Sequence, residues 1–171
     1  MESIYKSKAV YFLMSLVFLM TFSLSAFAMD HKEDHKSMNH GNSTKVFFDF
    51  RDSSPTSALI HLKLIHDTYN DKEFASESPK FAVVFMGGSV NLLSTKNREK
   101  YSSEDRKKLE EIDKVIAAMS KDGIRLEVCL FAVKVFGLAP DSILKEIKQV
   151  DNGWIASVRY QQKGYAQVPV F

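Results

Sequence analysis

A single cysteine, Cys129, stands in the stretch Arg125 to Gly137, RLEVCLFAVKVFG. The apolar run Leu126 to Cys129 predicts a buried strand that leads straight into a short helix, with the thiol where the two meet. At the carboxyl end of a parallel strand, a side chain faces the crevice where open α/β sheets bind ligands. A helix starting just behind it offers unpaired N–H groups and a dipole that favour the thiolate, the reactive form. The alternative is a core role, because free cysteines are among the most buried residues. Neither Arg125, at the far end of the strand, nor Lys134 is placed by spacing to activate the sulfur, so its position alone carries the chemical reading.

Two other groups of residues could do chemistry. Gly87-Gly88-Ser89 follows a nearly unbroken apolar run, Lys80 to Met86, and opens a short helix through Leu93. Glycines allow close backbone approach, and N–H groups at a helix start attract anions. With no P-loop lysine and no GxGxxG pattern, a plain tight turn is the alternative, but the loop would share a sheet edge with Cys129 if their strands are neighbours. The second group is Met29, His31, His35, Met38 and His40, within twelve residues of otherwise polar sequence. If the mature chain begins at Met29, its amine, two deprotonated amides and the His31 imidazole supply a square of nitrogens suited to Cu(II) or Ni(II), while the methionines suit Cu(I). An idle solvated tail has the same composition. His61 and His66, five apart on a helix, lie about 140° from each other and do not readily share a metal.

Residues 1–28 have the form of a secretory signal: Lys6 and Lys8, the apolar run Ala9 to Leu24, then Ala26-Phe27-Ala28 as a small-x-small cleavage site. An uncleaved anchor helix is the alternative. The reading predicts export to the periplasm or beyond, a disordered arm over residues 29–44 and one domain over 45–171. In an oxidising compartment a lone cysteine cannot close an internal disulfide, which leaves an intermolecular bond or a reactive thiol. Of the 23 basic and 21 acidic residues, removal of Lys6, Lys8 and Glu2 leaves 21 and 20, so charge implies no nucleic-acid or membrane-surface role.

The elements that must position these residues are legible from Lys45 onward. KVFFDF predicts a first strand, and Thr56 to Asn70 carries Leu59, Leu62, Ile65 and Tyr69 as a helical stripe. Residues 94–103 read as a polar, mobile loop. A long helix follows from Ser103 to about Lys121, with Leu109, Ile112, Ile116 and Met119 buried and Gly123 as its stop. Pro140 opens a predicted helix over Asp141 to Ile147. A short strand over Lys148 to Val150, a helix over Gly153 to Lys163 and a last strand over Ala166 to Val170 complete the chain. Pro169 suits an edge strand. Strands alternating with helices predict a three-layer α/β/α domain with a five-stranded, mostly parallel sheet.

In this order, the segments ALIHLKLIHD, FAVVFMGGSVNLL, GIRLEVCLFAVKVFGL with PDSIL behind it, and GWIASVRYQQKGYAQV resemble the DsrE/DsrF-like family of sulfur-relay proteins, in its small single-domain branch. The resemblance covers nearly all of Lys45 to Val170. It implies the same α/β/α fold, assembly as trimers or hexamers, and a cysteine after the third strand that carries sulfur as a persulfide, the position Cys129 matches. It also implies that the glycine-containing loop, here Gly87, Gly88 and Ser89, borders that cysteine. Two features depart from the family. Leu130, Phe131 and Ala132 stand where relatives are often polar, which makes the pocket less hospitable to a charged thiol, and the chain carries an export signal.

Three functions follow as expectations. One is a sulfur carrier that uses Cys129, needs no cofactor, and works with a sulfur donor and a sulfur acceptor. Another is an envelope protein that handles copper through the His/Met arm. The third is an oligomeric binding module without chemistry. No Ser/His/Asp arrangement, HExxH, CxxC or paired-carboxylate spacing supports an enzyme.

Overall fold

The computed structural model describes residues 43–96 and 98–171. The signal segment and all five His and Met residues of the arm lie outside the described residues. Five strands form one sheet: β1 (Lys45–Phe50), β2 (Lys80–Phe85), β3 (Arg125–Cys129), β4 (Lys148–Val150) and β5 (Ala166–Val170). Their order is β4-β3-β2-β1-β5, and every neighbouring pair is parallel. The three central strands are buried on both faces, which is why they read as continuous apolar runs. Pro169 sits in β5, an edge strand, where its missing N–H breaks no ladder.

The helices are α1 (Pro55–Asn70), α2 (Lys72–Ser76), α3 (Ser103–Lys121), α4 (Leu130–Val135) and α5 (Gly153–Gln162). Successive strand side chains point to opposite faces, and two aromatic contacts show what covers each. Phe47 stacks on Tyr160 of α5 at 5.5 Å between ring centroids. Phe48 meets Phe81 at 5.4 Å, and Phe81 meets Tyr69 of α1 at 5.3 Å. Thus α5 covers one face, while α1, packed on α3, covers the other. In α3 the stripe Leu109, Ile112, Ile116 and Met119 is fully buried. Its start is capped by Ser102, which accepts from the Asp105 N–H at 3.0 Å. At its end Gly123 takes the left-handed conformation, and Ile124 N–H returns to Met119 O at 3.0 Å, a Schellman closure.

One predicted element is absent. Asp141 to Ile147 is not a helix: a 3₁₀ turn spans Pro140–Ser142, and Ile143 then bridges Ser94 antiparallel. The backbone groups a helix would pair internally are spent on the neighbouring segment instead. Thr95 N–H bonds Ser142 O at 2.8 Å, Leu144 N–H bonds Leu93 O at 3.1 Å, and the buried hydroxyls of Ser94 and Ser142 bond each other at 2.9 Å. Ile143 and Ile147 are both buried, a spacing of four that looked helical but is served here by an extended turn. Within the stretch read as a polar loop over 94–103, a 3₁₀ turn spans Arg98–Lys100, and Arg98 grips Asp113 of α3 through two bonds of 2.7 and 2.8 Å. Short α2, capped by Asp71 on the Glu73 N–H at 2.9 Å, was not predicted.

Candidate functional site

Strand register builds the site. Phe50, Phe85 and Val128 are Cα partners across β1, β2 and β3. Phe50 shares the face of Phe48, so this row points toward α1 and α3. The next residue of each strand, Arg51, Met86 and Cys129, therefore points to the α5 face. The ladder continues far enough to hold that alternation, because Arg51 N–H bonds Val170 O at 2.7 Å and Met86 N–H bonds Phe50 O at 2.9 Å. Arg51 and Cys129 are two strands apart, about 10 Å between backbones, with Met86 between them.

Cys129 is 5% exposed. Its sulfur accepts a hydrogen bond from the Gly153 N–H at 3.2 Å. Gly153 is the first residue of α5, and the cap residue Asn152 takes the next amide, Trp154 N–H, at 2.9 Å. That division leaves the Gly153 N–H to the sulfur. Only glycine permits the approach, because a Cβ at Gly153 would lie 2.4 Å from Met86 Sδ and 3.0 Å from Cys129 Cβ.

The helix expected to serve the thiol is α4, directly after Cys129, and it does not do so in the way predicted. Its Phe131 N–H is already bonded to Asp151 O at 3.2 Å. The helix start that reaches the sulfur belongs to α5, later in the chain. An Asn-Gly pair ahead of an apolar-periodic stretch was the available signal, a cap residue followed by the smallest possible first residue.

Of the predicted loop, Gly87 lines the same cavity as Cys129 and has φ +59°, which favours glycine. Gly88 packs on Ser53, where a Cβ would stand 3.0 Å from Ser53 Cβ. Ser89 is fully buried, and its hydroxyl donates to Phe50 O at 3.0 Å and Met86 O at 2.8 Å. Ser89 thus clips the ends of β1 and β2 together and holds the Arg51–Met86 part of the row, whereas Gly87 alone of the three borders the thiol's cavity.

That cavity measures about 390 Å³. Its walls are mainly apolar: Phe131, Val135 and Phe136 from α4, and Trp154 from α5. Arg51 is its cation. The guanidinium is braced by Asp49, two residues back on the same face, at 2.9 and 3.2 Å. Asp49 is buried and also accepts from Gln167 at 3.3 Å. Sequence reasoning missed Arg51, since nothing local says that the residue after β1 stands two strands from Cys129. Among the described residues no group of three His, Cys, Asp or Glu could hold a metal. His61 bonds Asp52 at 3.0 Å and His66 bonds Asp122 at 2.6 Å, each with a partner of its own.

A buried sulfur with one N–H aimed at it thus stands in a largely apolar cavity that Arg51 also lines. The architecture recurs in solved structures. The protein of unknown function MTH1491 from Methanobacterium thermoautotrophicum matches with a TM-score of 0.59 at 19% identity, over 74% of this chain and 99% of that one. The ychN protein from E. coli matches with a TM-score of 0.53 at 10% identity, over 75% of this chain and 99% of its own. At those identities the likeness concerns the fold. No curated protein sequence matches the chain. The sequence pattern of the DsrE/DsrF-like family, however, matches residues 18–170, every strand and the whole Cys129 edge included, and the chain belongs to the DsrE/DsrF-like family.

Proposed function

We propose that this protein is a thiol-based sulfur carrier in which Cys129 holds the transferred atom. Family membership suggests sulfur relay at the level of the family, and the observation that carries the reading to this chain is the Gly153 N–H directed at Cys129 Sγ, 3.2 Å away. In loading, the Cys129 thiolate attacks the outer sulfur of a donor persulfide, R–S–SH. A new S–S bond forms at Cys129 as the donor's S–S bond breaks, and the donor leaves as R–S⁻. Unloading is the same exchange with an acceptor thiolate, which takes the outer sulfur and returns Cys129 to its thiolate. The N–H to sulfur bond supports the charged form, and Arg51 offers a counter-charge on the approach path. The apolar walls keep water from the loaded sulfur.

The same proposal includes export from the cytoplasm, which the signal-like pattern of residues 1–28 supports, and self-assembly, which the exposed apolar residues around the cavity support. Treatment of the protein with a low-molecular-weight persulfide, followed by intact mass measurement, tests the central step. The parent gains the mass of one sulfur and Cys129→Ser gains none. Loading at another residue, or no loading of the folded parent, would refute the proposal.

A further inference from the structure

A second cavity, of about 230 Å³, opens on the α5 face alongside β3 and β4. Arg125, Glu127, Lys148, Arg159, Lys163 and Tyr160 line it. Strand alternation turns Arg125 and Glu127 to this face together with Cys129, and Lys148 is the Cα partner of Glu127. Arg159, Tyr160 and Lys163 come from the last turn of α5 and its cap.

The polar groups of this cavity are incompletely matched to one another. Tyr160 is 5% exposed, and its hydroxyl has no hydrogen-bond partner among the described residues. Glu127 is equally buried; its carboxylate and the Arg125 guanidinium lie beside the Tyr160 hydroxyl without forming a well-aligned hydrogen bond to it, and no ion pair among the described residues engages Glu127, Arg125, Lys148, Arg159 or Lys163. Elsewhere charges do find partners: Arg51 with Asp49, Arg98 with Asp113, Lys96 with Asp141. Burial, and after it the charge of Glu127, raises the pKa of Tyr160, so the phenol stays protonated and acts as a donor. Buried polar groups are normally satisfied, and a donor without a well-formed bond beside a buried carboxylate leaves a place for a further polar group.

The charge pattern narrows what that group is. A simple anion would meet the Glu127 carboxylate at the base of the cavity. A simple cation would meet four positive side chains, against which Asp151 at the mouth is the one further carboxylate. A molecule that carries both signs, with negative charge in excess, satisfies both. The volume lies below the roughly 300–1,000 Å³ of drug-sized ligand pockets, which suits a metabolite of amino-acid size. We propose that this cavity binds a small zwitterion of the acidic amino-acid class, its ammonium group against Glu127 and its carboxylates against the Arg125, Lys148 and Arg159 cations and the Tyr160 hydroxyl.

The site makes no use of the Cys129 sulfur, so it stands or falls separately from sulfur transfer. Calorimetric titration of the full chain with L-glutamate, and with glutarate as the analogue that lacks the ammonium group, is the test. Glutamate binds saturably at one site, and glutarate binds about tenfold less tightly, the loss of one charge-assisted hydrogen bond. Glu127→Gln erases that preference. Tyr160→Phe weakens glutamate about fivefold while its unliganded thermal midpoint does not fall, since the ring contacts with Phe47 and Tyr165 remain. Cys129→Ser binds as the parent does. Absence of saturable glutamate binding, equal binding of glutarate, or binding unchanged by both Glu127→Gln and Tyr160→Phe would each overturn the assignment.

Discussion

At Cys129, the hydrogen bond to the sulfur depends on one backbone amide and on the absence of one methyl group at Gly153. Gly153 is the residue that lets α5 begin close enough for its N–H to reach the sulfur. Gly153→Ala would drive a carbon to within 2.4 Å of Met86 Sδ, and the helix start must retreat or the thioether must move. Overpacking of this kind costs about 1–3 kcal/mol. The expected result is a lower urea midpoint together with slower persulfide loading. A variant that unfolds earlier yet loads at the parental rate would show that the Gly153 N–H is dispensable to the chemistry. Arg51 was not visible from the sequence because its relation to Cys129 runs across two strand pairings and not along the chain. Ser89 was visible but took a different role: its hydroxyl faces into the protein, on Phe50 O and Met86 O.

The element that governs the site is α5, and its N-terminal cap decides where it starts. Asn152 accepts from Trp154 N–H, which orients the first turn and leaves the Gly153 amide pointing at the sulfur. Asn152→Ala is expected to cost about 1 kcal/mol of stability, the usual value of such a cap, and to slow loading as well, because the amide is no longer held on Cys129. Denaturant unfolding and loading kinetics of the same preparation check both. The helix predicted over Asp141 to Ile147 shows why short segments mislead. Two isoleucines four apart satisfy a helical stripe, yet seven residues supply few internal hydrogen bonds. The facing segment at 93–95 offers better partners, so tertiary contact overrides the local pattern.

At the scale of the whole molecule, the carboxyl edge of the sheet is bordered by apolar side chains that no other described residue covers. Phe131 is 66% and Trp154 70% exposed, and Val135, Ile155 and Val158 are exposed beside them. Large exposed apolar patches mark interaction surfaces. Phe131, Val135 and Trp154 also line the cavity of Cys129, so the self-assembly we propose through this patch would also govern access to the thiol. Light scattering of the parent is expected to give a trimer or hexamer, and the double variant Trp154→Asp, Val158→Asp a smaller species that stays folded by circular dichroism. A monomeric parent would remove self-assembly from the account.

The sequence by itself determined the class of fold, because burial is written locally. Unbroken apolar runs mark strands covered on both faces, a stripe at helical spacing marks α3, Gly123 marks its end, and Pro169 excludes a central strand. It also placed Cys129 at the end of its strand, since the periodicity changes at that residue. Only the tertiary structure decided what surrounds the sulfur. The order β4-β3-β2-β1-β5 sets Arg51, Met86 and Cys129 in one row, and the return of the chain through α5 brings an amide from 24 positions away onto Sγ. The same return places Tyr160 and Arg159 against Glu127 and Arg125. These are contacts between elements, and their partners are chosen by register and crossover, which leave no periodic trace in the stretches they join.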